Sequence, residues 1–230
     1  MRRLIFALLA LAAACAQPIY RPVAEPAPVS PPERIALAGG PEGESPAYTP
    51  GERTSRPSLA TAVMEPSARI AIALDRLREK QLVIPVAGVG PSRIEDTFSA
   101  GRDGGERQHN AVDILAPRNT PVIAADDGMI LRMSTNALGG ITIYAADRDQ
   151  AFVYYYAHLD HYQRGVSPGQ SIQKGDTLGF VGTTGNAPKD VPHLHFQIMI
   201  WPSDGKWWNG EPVNPFPVLH PTAESTRRRR

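Results

Sequence analysis

The chain has 230 residues, with 24 Lys+Arg against 23 Asp+Glu and a formal net charge of +1. That length holds one or two domains and can bury one good core, and the balanced charge gives no whole-molecule ground for nucleic-acid binding. A single cysteine, Cys15, excludes an internal disulfide and any multi-cysteine zinc site, so a bound metal would fall to His and carboxylates.

In chain order, Arg2 and Arg3 form a positive start, Leu4 to Leu11 an apolar run, and Ala12, Ala13 and Ala14 the small residues of a cleavage site. This reads as a secretion signal, and the run is too short to span a bilayer. Cys15 comes directly after, as in the bacterial lipoprotein signal it resembles, where the cysteine is lipidated. Ala12 stands where that signal usually has Leu, and the alternative is an ordinary signal peptide. Residues 15–62 are rich in Pro, Gly, Ser and Glu, and eleven of the 23 prolines lie at or before Pro66. Such a segment cannot bury enough apolar surface to offset its ordering entropy, so it reads as a disordered tether. Glu65-Pro-Ser then opens a helix carrying Ile70, Ala73, Leu74 and Leu77 at helical spacing, expected to dock on the domain C-terminal to it.

Beyond Leu82 short β-prone runs alternate with Gly, Pro, Asn and Asp: Leu82–Val86, Val112–Leu115, Pro121–Ala124, Gly128–Met133, Ile141–Tyr144, Phe152–Ala157, Thr177–Val181 and His193–Ile200. They predict a mainly β fold, a compact antiparallel sheet or barrel-like domain. The expected organisation is a signal peptide over 1–14, the tether, a helix with lead-in over 63–84, the β domain over 85–220 and a basic tail over 221–230.

Three segments carry candidate chemistry. His109 enters the strand that bears Asp113. His193 and His195, two apart on a strand, share one face while Leu194, Phe196 and Ile198 line the other. His158 closes a strand with three tyrosines. Two His and one Asp make a three-ligand set that leaves a fourth position open, as catalytic zinc requires. No Glu adjoins these motifs, so His158 and the spare imidazole are the candidates for proton transfer. His161 and His220 read as surface residues. Trp201, Trp207 and Trp208 either stack on sugar rings at a groove rim or pin the C-terminal segment to the sheet.

The order His109-x-x-x-Asp113, Tyr-Ala-His158-Leu and His193-Leu-His195-Phe, with Gly140-Ile-Thr-Ile-Tyr and Val181-Gly-Thr-Thr-Gly-Asn between, resembles the lysostaphin-type (LytM-type) zinc endopeptidases over about residues 85–217. The resemblance implies His109, Asp113 and His195 as ligands of one zinc. It makes His158 and His193 the catalytic histidines, with the general base undecided between them. It implies peptide bonds of bacterial peptidoglycan as substrate. Relatives often carry Gly where this chain has Ala111, whose methyl could narrow the groove, and Lys189-Asp-Val-Pro192 departs from the usual loop before the last His pair. With the front end added, the expectation is an exported enzyme anchored to a membrane through Cys15 and facing the periplasm. Ala16 after the cysteine favours the outer membrane in a diderm host. The alternatives are a non-enzymatic regulator that activates an amidase and a wall-binding module.

Overall fold

The computed structural model describes residues 65–220, so the expected signal, Cys15, the tether and the basic tail lie outside the described residues. Helix α1 spans Pro66–Lys80, with proline in its first turn, where its missing N–H costs nothing. Ala73 and Leu77 are fully buried on its inner face. Burial of a leucine side chain contributes about 2–3 kcal/mol. The helix therefore docks on the β domain, as its apolar spacing predicts.

The strands are β1 (Gly101–Arg102), β2 (Arg107–Gln108), β3 (Val112–Leu115), β4 (Pro121–Ile123), β5 (Gly128–Asn136), β6 (Gly140–Asp147), β7 (Phe152–Tyr162), β8 (Ser171–Ile172), β9 (Thr177–Val181), β10 (His193–Ile200) and β11 (Glu211–Val213), before a last helical turn, α2 (Phe216–Leu219). β1 and β2 form a separate hairpin. The other nine make one antiparallel sheet in the order β11-β10-β7-β6-β5-β8, with β3 on β10 and β9 bridging β7 to β4.

Period-two alternation divides this sheet into two faces. Phe152, Tyr154 and Tyr156 of β7 and Leu194, Phe196 and Ile198 of β10 are buried on the face that meets α1. The two core tyrosines keep their hydroxyls paired: Tyr154 donates to Asp126 Oδ2 at 3.0 Å, and Tyr156 accepts the Ala125 N–H at 3.0 Å. Tyr155, His193, His195 and Gln197 occupy the opposite face.

One expected strand needs correction. Leu82–Val86 is not a strand. It runs extended beside β4 with the single bridge Val86↔Val122, because Pro85 has no N–H to extend a ladder and contributes only its carbonyl, to Ile123. His161 is exposed, as expected, and lies within β7 with its ring stacked 4.4 Å from Phe180.

Candidate metal centre

β3 and β10 are neighbours, with Asp113 directly opposite His195. His109 reaches the same point from the loop before β3. His109 Nε2 lies 2.9 Å from His195 Nδ1 and 2.9 Å from Asp113 Oδ1, and His195 Nδ1 lies 3.3 Å from the same oxygen. These three side chains form a group able to hold one metal ion.

The details favour a cation. His109 Nδ1–H donates to the Thr97 carbonyl at 2.9 Å, so its Nε2 presents a lone pair toward His195 and Asp113. Asp113 Oδ1 is buried and receives no hydrogen bond. Lone pairs and a carboxylate oxygen facing one another this closely repel unless a positive charge sits among them. Burial pushes the Asp113 carboxyl up, but the two imidazoles overrule it and hold it well below the ordinary range. Burial pulls the His195 imidazole down, which keeps its nitrogen unprotonated and able to ligate.

A family model described as peptidase family M23 matches residues 107–215, the span that holds all five motif residues. This stretch is a peptidase family M23 domain. Curated relatives include peptidoglycan DD-endopeptidase ShyC of Vibrio cholerae, 31% identical over 137 residues, covering 58% of this chain and 29% of the relative. Another is the DD-carboxypeptidase/endopeptidase Mpg of Neisseria meningitidis, 33% identical over 121 residues, covering 53% of this chain and 25% of the relative. The chain thus matches between a quarter and a third of these relatives' own length. Among solved structures, the catalytic domain of the antimicrobial peptidase lysostaphin from Staphylococcus simulans is 27% identical, covers 63% of this chain and 96% of that domain, and has a TM-score of 0.44.

Within the M23 domain the other two histidines flank the ligand group. His193 Nδ1–H donates to the Val191 carbonyl at 2.8 Å, which turns Nε2 inward, 3.8 Å from Asp113 Oδ1. His158 Nδ1–H donates to the Thr184 carbonyl at 2.8 Å, and its ring centre lies 5.0 Å from His193 and 5.6 Å from His195. Burial pushes the His158 imidazole down to about 4, so it is neutral at pH 7 and can accept a proton.

His158 does not close its strand, as the sequence suggests, but lies inside β7 at φ 61°, where the β6–β7 register shifts. A non-glycine residue there is strained and persists only when its surroundings dictate it. They do so here. Its N–H donates to Gly139, its ring donates to Thr184, and Thr184 Oγ1 bridges the Ile141 N–H and the Leu159 carbonyl. Gly140 and Gly185 make that bridge possible. A Cβ on either would lie within 2.4 Å of the facing loop.

The five residues open on a cavity of about 580 Å³ whose lining includes Arg102, Leu115, Leu138, Tyr155 and Val191. Leu115, Leu138 and Val191 are among the few large apolar side chains left exposed in the described residues, which gives the cavity apolar lips. Ala111 is fully buried, has no positive φ and does not line the cavity, so its methyl does not narrow the groove.

Sequence reasoning missed two supporting residues. Thr97 holds His109 with its carbonyl and accepts the Asp113 N–H at its hydroxyl, 3.1 Å away. Arg102 donates to Asp113 Oδ2 at 2.5 Å, leaving Oδ1 for the ligand group. Both precede the matched span and carry no spacing signal. Only the fold brings 97–102 beside β3.

Proposed function

We propose that this protein is an exported, lipid-anchored zinc endopeptidase that hydrolyses peptide bonds in peptidoglycan cross-links or stem peptides. The observation that carries the reading is the convergence of His109, Asp113 and His195 on one point, with two tautomer-fixed imidazoles beside it, on the floor of an open cavity. The peptidoglycan names of the curated relatives supply the substrate class. Cys15 after an export signal supplies the anchor and the envelope location.

His109, Asp113 and His195 would hold the zinc, an imidazole and carboxylate set suited to that ion. When bound, zinc supplies Lewis acidity that polarises a scissile carbonyl and acidifies water. His158 and His193 supply the proton chemistry. Each has its Nδ1–H committed to a backbone carbonyl, so each offers Nε2 to the cavity. One takes the proton of the attacking water at Nε2 and then gives that same proton to the leaving amine, while the other, when it carries a second proton taken from solvent, donates it as a hydrogen bond to the developing oxyanion. Thr97, Thr184 and Val191 fix the three ring orientations through their carbonyls.

The test is digestion of purified sacculi by the full chain, with muropeptides read by mass spectrometry. New amine termini that vanish with chelator and return with zinc are the expected result. Zinc retained at one per chain with no released peptide would overturn the enzymatic reading in favour of a regulator.

A further inference from the structure

The sheet face that carries the metal centre continues past it. One pleat beyond the pair Asp113 and His195, about 7 Å along the strands, the register aligns Gln197, Tyr155, Tyr144 and Arg132 across β10, β7, β6 and β5. Tyr155 lines the cavity, 5.9 Å from the ring of His195. Tyr144 lies 4.4 Å from Tyr155, Trp207 lies 5.0 Å from Tyr144, and Trp208 lies 5.2 Å from Trp207. The aromatic series thus runs unbroken from a ligand of the metal centre to the surface.

The row is built rather than incidental. A Cβ on Gly139 would fall 2.1 Å from the Tyr155 hydroxyl, so glycine keeps room for that ring. Trp207 is half-buried and pins the loop after β10 onto Tyr144, whereas Trp208 stands edge-on to it and remains 56% exposed. One tryptophan therefore secures the loop, and the other is presented. An exposed indole at the end of this aromatic series has a cost in water that a ligand removes. Gln197 and Arg132, a planar amide and a planar guanidinium, flank the tyrosines in this register, and Asn136 and Thr142 hydrogen-bond Tyr155. The row contains no carboxylate to hold a cationic ligand.

We propose that this row is a subsite for the glycan backbone of peptidoglycan, a neutral β-1,4-linked N-acetylhexosamine chain. Its pyranose C–H faces would stack on Trp208 and the Tyr144–Tyr155 pair, and its hydroxyl and acetamido groups would bond Gln197 and Arg132. The assignment rests on the peptidoglycan reading of the metal centre. It adds that the enzyme grips the sugar from which a stem peptide hangs while the peptide lies across the histidines.

The test is titration of the full chain with chitotetraose, a peptide-free N-acetylglucosamine oligomer, followed by tryptophan fluorescence and calorimetry in chelator. Saturable binding with a change in indole emission is expected. Trp208→Ala should abolish the emission change and weaken binding about tenfold or more, the scale of truncating an aromatic anchor. Gln197→Ala should weaken it independently. Absence of saturable binding to the wild type would overturn the proposal, as would equal affinity in Trp208→Ala. Loss of the emission response to chitotetraose alongside a response to a sugar-free stem peptide would reassign the row to peptide. Because this assay needs neither metal nor hydrolysis, its failure is separable from a failure of the sacculus digestion.

Discussion

Replacing Lys80 with Met should cost the fold about 3–4 kcal/mol at pH 7, and the cost should shrink in acid. Lys80 ends α1 with its ammonium 2.8 Å from Asp147 Oδ2 and 3.3 Å from Asp126 Oδ2. Burial alone would pull that ammonium down, but Asp147, Asp126 and Asp149 overrule it and raise it. Its contribution is therefore present below about pH 10.4 and is lost only as pH rises through the raised value. Asp126 keeps Tyr154 and Lys174 when Lys80 is removed. Asp147 does not fare so well. Its side chain is fully buried, its Oδ1 is taken by the N–H groups of Ala151 and Phe152, and Oδ2 faces Lys80. Leaving a buried charge without its partner costs about 3–5 kcal/mol. Protonation sets the ceiling, because neutralising an ordinary aspartate at pH 7 costs about 4 kcal/mol. Burial already pushes this carboxyl up. In Lys80→Met its folded value rises further above the unfolded one, so the penalty is full above the folded value and fades as pH falls. That ceiling is about 1.5 kcal/mol at pH 5. Thermal melts should drop by about 10 °C at pH 7 and far less at pH 5, and Lys80→Met with Asp147→Asn should recover most of the loss. Equal losses at the two pH values, or no loss at pH 7, would refute the reasoning.

Asp113→Ala should lower zinc affinity by roughly 100-fold or more, measured by competition with a chromogenic chelator; stoichiometric zinc in a variant lacking His109, Asp113 and His195 together would sink the ligand assignment. His158→Ala and His193→Ala should each keep fold and zinc while losing roughly 10²-fold in turnover on sacculi, and near-wild-type cleavage by either would remove that histidine from the chemistry. In the metal-free chain the His158 ring should stay neutral from pH 8 to pH 5 by nitrogen chemical shift, since its imidazole is held at about 4; a midpoint near 6.5 would contradict its burial. The same depression makes its contribution to stability full above about pH 6.5 and lost as pH falls through the folded value. Cys15→Ser should move the mature protein from the membrane to the soluble fraction, and equal incorporation of labelled fatty acid by both forms would refute the anchor.

The parts of the fold legible in the sequence are those with a periodic signal. Val112–Leu115, Thr177–Val181 and His193–Ile200 are strands over the residues their pattern marks. The mainly β class comes from such runs, and so does the docked helix. Strand ends are less legible. β7 continues to Tyr162 through polar Asp160 and His161, because pairing with β9 rather than side-chain alternation carries it on. Leu82–Val86 has the composition of a strand, but the proline in it denies the ladder a donor. β8 and β11 are two and three residues long and exist only through their partners.

The site divides the same way. Imidazole and carboxylate positions are visible because their spacing is visible. The groups that fix them are not, since they are backbone carbonyls that any residue could supply. Three of the four site imidazoles give Nδ1–H to such a carbonyl: His109 to Thr97, His158 to Thr184, His193 to Val191. Each bond selects one tautomer and aims the other nitrogen, which is what separates a metal ligand or a base from a satisfied structural histidine. The carbonyls come from the arm before the family span, from the loop after β9, and from the turn into β10. A change in any of these segments would turn a ring without altering a motif residue. This explains how Ala111 and the Lys189–Pro192 loop can depart from the usual pattern while the histidines keep their geometry. Ala111 faces the core, and in the loop the Val191 carbonyl, rather than a side chain, holds His193.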